Sequence, residues 1–185
     1  MKVGGNISPN RIFEFSEPRR YAVYEDGTLT FYNDTKHDSR SGEVYTDLVR
    51  KTSADKWGKH KNEIRRVVFD PSFKETHPTT TAHWFNGLYN LEEIVGLENL
   101  NTDSVWNMYG MFNGASMNSG CIKELDLSHF NTSKVTNTEY MFNCCKSIEK
   151  IIVTDSWTMD KVERSTYMFN YCKSLVGGVA YDSNY

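Results

Sequence analysis

No run of about 18 apolar residues occurs anywhere in the 185-residue sequence, so nothing in it reads as a membrane-spanning helix. The opening stretch, MKVGGNISPNRIFEF, has one lysine and no apolar core, so it is not a secretory signal. Two locations then stand open: the cytoplasm, or a surface or secreted protein in a form that has lost its leader. An excess of basic charge is also missing. Lysine and arginine number 21 against 24 acidic residues, for a formal charge of -3 and a pI near 6.0. That balance excludes the electrostatic footprint of a nucleic-acid binder. The one local cluster, Lys51, Lys56, Lys59, Lys61, Arg65 and Arg66, has acidic neighbours and reads as a solvated face.

Signatures of chemistry are equally scarce. The four cysteines show no CxxC spacing, which argues against a zinc site. None of His37, His60, His77, His83 and His129 stands four residues from another histidine. Gly4-Gly5 and Gly177-Gly178 lack the context of a phosphate loop. Glu92-Glu93 reads as a solvated face rather than a general acid and base. A thiol-dependent hydrolase, for instance Cys121 with His129, is a minor alternative whose partners would have to meet through the coil of the chain. The expectation is a non-catalytic protein with no cofactor and no metal.

What the sequence does contain is a repeat. Met-Phe recurs after a polar segment with a fixed valine, in NTDSVWNMYGMFNG (101–114), NTSKVTNTEYMFNC (131–144) and TMDKVERSTYMFNY (158–171). Val105, Val135 and Val162 each stand six residues before Met111, Met141 and Met168. Trp84-Phe85 is an earlier copy, so the starts at 84, 111, 141 and 168 are spaced by 27, 30 and 27. A second apolar set runs in phase: Ile64, Val67 and Phe69; Leu91 and Ile94; Ile122, Leu125 and Leu127; Ile148, Ile151 and Val153; then Leu175. Their first positions are separated by 27, 31, 26 and 27 residues.

A period in this range predicts stacked turns, because one copy cannot bury its apolar side alone. Leu125 and Leu127 should point inward along a short strand, with Glu124, Asp126 and Ser128 outward. Phe73, Leu100, Phe130 and Trp157 should turn the chain off the sheet. Val105, Met108 and Phe112 stand at near-helical spacing, which predicts an irregular or short-helical return leg. Asn101-Thr102 and Asn131-Thr132 suit the corners through side-chain to backbone hydrogen bonds. The long copy carries extra residues, ASMNSG (115–120), which bulge as a loop, either neutral or functional.

Before the repeat, Asp26-Gly27 between Tyr21, Val23 and Leu29, Phe31 is a hairpin signature. A polar stretch at 33–62 reads as a loop with a short helix near Val44–Lys51. The expected fold is an α/β repeat: a short leucine-rich-repeat-like solenoid of parallel stacked strands with an N-terminal β-hairpin cap. Its expected divisions are a tail or leader remnant (1–20), the hairpin cap region (21–62) and about five repeat turns (63–185). Cys145 and Cys172 occupy one repeat position. They read as small buried thiols, although neighbouring turns would bring them within disulfide reach.

LDLSHFNTSKVTNTEYMFNCCKSI, the recurrent MFNCCKSI and MFNYCKSL, GLENLNTDSV, the closing KSLVGG, and GTLTFYND followed by RRVVFDPSF closely resemble the BspA-like bacterial leucine-rich-repeat surface proteins. The resemblance covers about residues 21–182. It implies a surface-exposed or secreted, adhesin-like protein of a host-associated bacterium. Its partner would be a host extracellular-matrix or microbial surface protein. The alternative is an intracellular or mobile-element-borne scaffold. The face expected to bind is the outward side of the strands, carrying Glu93, Glu124, Asp126, Lys150, Ile152 and Thr154.

Overall fold

The computed structural model describes residues 17–48, 57–118 and 121–176. Residues 1–16 of the expected tail (1–20), residues 49–51 of the expected helix, Gly177-Gly178 and two residues of the 115–120 insertion lie outside them.

Asp26 and Gly27 both adopt positive φ, 45° and 76°. That is the backbone a two-residue hairpin demands, because its twist matches the flanking strands. It joins β1 (Arg19–Glu25) to β2 (Thr28–Asp34) as an antiparallel pair. β3 (Glu43–Tyr45) adds to the free edge of β1, so the stretch expected to begin a helix at Val44 is a strand instead. On the other side, β2 pairs in parallel with β4 (Arg66–Phe69), and β4 with β5 (Glu93–Val95). A mixed sheet of five strands results, in the order β3-β1-β2-β4-β5. β6 (Glu124–Asp126) and β7 (Lys150–Ile152) form a separate parallel pair.

This architecture corrects the expected fold. The α/β leucine-rich-repeat-like solenoid, with one stack of parallel strands behind a hairpin cap, does not form. The strands fall into a mixed sheet and a separate pair, and the hairpin is built into the larger sheet rather than capping a stack. Among the described residues there is no α-helix.

The reason lies in the Met-Phe segments, each bracketed by left-handed residues. His83, Tyr140 and Tyr167 precede them at φ 63°, 57° and 58°, and Cys144 and Tyr171 follow at 61° and 59°. A helix cannot continue through a left-handed L-residue without a cost of about 1–2 kcal/mol each. The chain therefore turns twice within five residues.

These turns stack closely from copy to copy. Phe85, Phe112 and Phe142 donate their N–H groups to the carbonyls of Met111, Met141 and Met168, each at 2.8 Å. Single-residue bridges run Thr80, Asn107, Asn137, Arg164. The rings of Phe85, Phe112, Phe142 and Phe169 stack at 4.8, 5.5 and 5.3 Å. Towards the hairpin the column continues into Phe69, Phe31 and Trp84. The core is thus a spine of aromatic rings, stacked from Phe85 to Phe169 and edge-on between Phe69 and Phe85, both arrangements that ring quadrupoles favour. Trp57 and Trp84 are buried with their indole N–H groups on the carbonyls of Trp84 and Leu48, so their burial leaves no donor unpaired.

At the corners, Thr102 Oγ1 accepts the Asn131 N–H at 2.8 Å and donates to the Asn131 carbonyl at 3.2 Å. Thr132 does the same with Thr158, at 2.7 Å both ways. Both hydroxyls are buried and fully used.

Candidate functional site

The two sheets meet at β5 and β6, and there the strand ladder is interrupted. Parallel pairing engages alternate residues on each edge. Glu93 gives its N–H to the Arg65 carbonyl at 3.2 Å, so Ile94 presents its N–H and C=O away from β4. Lys150 donates to the Lys123 carbonyl at 3.1 Å, so Glu124 and Asp126 present theirs away from β7. No pairing joins these two edges. Bonds flanking the two strands hold the edges, among them Ile122 N–H on the Leu91 carbonyl at 3.2 Å and the Thr102–Asn131 bonds.

Between the edges lies a cleft of about 740 Å3. Two local features part the strands. At one end the longer copy inserts residues whose backbone takes the carbonyls of Leu88 and Tyr89, through Ser116 and Asn118 at 3.3 Å. At the other end Gly96 stands where two other copies carry the inward Phe69 and Leu127 and the last carries the exposed Val153. Gly96 is left-handed at φ 70°, and a Cβ there would lie 2.4 Å from the Phe69 carbonyl oxygen. The close approach turns the end of β5 onto β4, where Asn99 Nδ2 also donates to Phe69 O at 3.0 Å. Ile94 is half-buried, whereas its equivalents Val67 and Leu125 are buried.

The cleft is acidic. Glu92, Glu93, Glu98, Glu124 and Asp126 line it, against the single ammonium of Lys123. The outward row across the strands reads Arg66, Glu93, then the gap, then Glu124, Lys150. Arg66 Nε meets Glu93 at 3.1 Å and Lys150 Nζ meets Glu124 at 3.0 Å. The two carboxylates therefore stand on either side of the opening, each paired to a cation on its far side. His129 closes one end. Burial pushes its imidazole below the ordinary value, and its Nε2 is buried without a hydrogen-bond partner. The Ser128 hydroxyl and N–H hold the Asp126 carboxyl below its usual range.

Of the residues expected on the binding face, Glu93, Glu124 and Asp126 come together on this cleft. Lys150 pairs with Glu124 on the far side of β6. Ile152 is half-buried, and Thr154 is exposed with its hydroxyl on the Ser128 carbonyl at 2.8 Å. Sequence reasoning missed Gly96, and weighed His129 only as a partner for Cys121. The signal for Gly96 was a glycine at an inward repeat position.

The cysteines are free thiols. Cys145 and Cys172 donate to the carbonyls of Phe112 and Phe142, each in the preceding copy, at 3.0 and 2.9 Å. Burial pushes Cys172 up to about 11 and Cys145 well above its ordinary value. Cys121 and His129 stand at opposite ends of β6, and burial raises the Cys121 thiol as well. No group of three or more His, Cys, Asp or Glu among the described residues could hold a metal. No helix there is long and apolar enough to cross a membrane.

Residues 68–180 match the family model described as Mycoplasma protein of unknown function, DUF285. The chain belongs to the DUF285 family. No curated protein and no solved structure matches it. The DUF285 match begins inside β4 and takes in β5, β6, β7 and the cleft, and leaves the β1–β2 hairpin outside.

Proposed function

We propose that this chain is a non-catalytic interaction module of a bacterial surface or secreted protein of the BspA-like type, binding a host extracellular-matrix or microbial surface protein. The observation that carries the reading is the acidic cleft between two unpaired strand edges. Its polar backbone groups and outward carboxylates are accessible, and exposed strand edges are surfaces on which other chains dock. Support for a non-catalytic role comes from Cys121, Cys145 and Cys172, whose thiols are hydrogen-bonded to carbonyls and raised in pKa by burial, the opposite of a nucleophile's environment.

The test is capture of purified host matrix proteins, and of intact bacterial cells, on the immobilised chain. The comparison is a double variant, Glu93→Lys with Glu124→Lys. Saturable capture that the variant weakens supports the reading. Absence of capture from both sources removes it. Fractionation of the producing cell checks location, with the chain expected at the surface or in the medium.

A further inference from the structure

Resting on the interaction reading above, we propose that the partner supplies an extended, lysine- or arginine-bearing segment that inserts as the missing strand between β5 and β6. The backbone argument comes first. Ile94 on one side, and Glu124 and Asp126 on the other, offer N–H and C=O groups towards each other across the cleft. An extended chain between them satisfies both edges at once, whereas a strand added to any other edge gains hydrogen bonds on one side only.

The charge row then selects the side chain. Across the sheet the outward residues alternate in sign, Arg66 to Glu93 and Glu124 to Lys150, and the gap falls between two carboxylates. A cation placed there continues the alternation; an acidic residue faces like charge on both sides, which is unfavourable for directly opposed cross-strand pairs. The neighbouring position of the same strand points inward, beside Ile94, which is half-buried for want of a neighbour. An apolar residue suits it. Strand periodicity therefore sets the motif as basic, apolar, basic, over roughly three to five residues at ~3.3 Å each.

The probe is an end-blocked, fluorescein-labelled pentapeptide alternating lysine and valine, titrated against the full chain by anisotropy. Two control peptides accompany it: one N-methylated on alternate backbone nitrogens, and one with glutamate for lysine. Saturable binding of the parent peptide is expected. N-methylation should weaken it about ten-fold, the loss of two or three strand hydrogen bonds. The glutamate peptide should not bind.

In the protein, Glu93→Gln with Glu124→Gln changes two exposed side chains and should weaken binding by a similar factor. Bound peptide should slow hydrogen exchange at the amides of Ile94, Glu124 and Asp126. Equal binding of the N-methylated peptide overturns strand insertion, and unchanged affinity of the double variant overturns the site. No binding at millimolar peptide also overturns the inference. If a matrix protein is still captured in that case, the interaction reading survives and only the strand is lost. If the peptide binds and no matrix protein or cell is captured, the strand site stands and the adhesin-like reading falls.

Discussion

The junction between β6 and β7 and the junction between β5 and β6 are built from the same repeat template, yet only the first is paired. At β6–β7 the register sets Glu124 beside Lys150 and Leu125 beside Ile151, an ion pair outside and an apolar pair inside. At β5–β6 the equivalent register would set Glu93 beside Glu124. The inward partners, Ile94 and Leu125, suit each other, but the outward pair would repel, and Gly96 turns the end of β5 onto β4. On the opposite side of the chain nothing is interrupted: the Met-Phe turns bond continuously from Phe85 to Phe142 across the same level. A repeat can thus open one junction while its aromatic spine keeps both sheets in one body.

The largest effect should come from the spine where it runs beneath the open junction. Phe112 lies between Phe85 and Phe142 and is buried. Phe112→Ala should cost about 3–5 kcal/mol, the usual range for a fully buried phenylalanine. No strand pairing compensates at that level, so urea unfolding should also broaden into two steps, one for each sheet. Phe142→Ala, beneath the paired junction, should cost a similar amount and keep a single transition. Identical single transitions for both variants would mean that strand pairing, not the spine, sets the coupling.

Much of this was legible in the chain and some was not, for physical reasons. Asp26-Gly27 announced its hairpin because only a few residue types accept two successive left-handed conformations. The constant Met-Phe spacing announced the Phe column, since equal spacing places equal side chains above one another. Glu93, Glu124 and Asp126 could be assigned to the outward face from alternation alone. The near-helical spacing of Val105, Met108 and Phe112 left an irregular and a short-helical return leg open, and the irregular one forms, because Gly110 and Gly114 sit at positive φ around Met111-Phe112. Val44 and Tyr45 joined a strand because β1 offered them a free edge, a tertiary fact. The cleft depends on comparing outward residues between copies, and the clash of Glu93 with Glu124 emerges only once their register is aligned.

Gly96 comes next in expected size. Gly96→Ala forces an L-residue to φ 70° and sets a methyl 2.4 Å from the Phe69 carbonyl. The left-handed conformation alone costs about 1–2 kcal/mol, and relief of the contact must shift β5 away from β4. A loss of roughly 2–3 kcal/mol in urea unfolding is expected on those grounds. A loss below about 0.5 kcal/mol, the size of an ordinary surface change, would show that the backbone at Gly96 is not what turns β5.

A smaller cost is expected at the thiol position. Ala115, buried in the copy at the open junction, stands where the next copy has Cys145. Cys145→Ala therefore reproduces a side chain the repeat already accommodates, and should cost about 1 kcal/mol for the lost sulfur packing and its bond to the Phe112 carbonyl. Alkylation of the native protein at pH 8 should be slow at Cys145 and Cys172, whose thiols stay protonated there. Rapid labelling of either would contradict the burial that raises them.

The smallest effect is the most direct test of why one junction pairs and the other does not. Exchanging the charges of one ion pair, Glu124→Lys with Lys150→Glu, preserves the attraction between β6 and β7 and places a cation opposite Glu93. If like charge holds the junction open, the exchange should draw β5 and β6 together, gaining about 0.2–1 kcal/mol, the range for one cross-strand pair. The sharper readout is hydrogen exchange, since the Ile94 amide should become protected without any ligand. The single change Glu124→Lys should gain less, because its new attraction to Glu93 is offset by repulsion from Lys150. Unchanged exchange at Ile94 in the double variant would assign the opening to Gly96 and the inserted residues alone. The carboxylates would then be a consequence of an open edge that must stay soluble, rather than its cause.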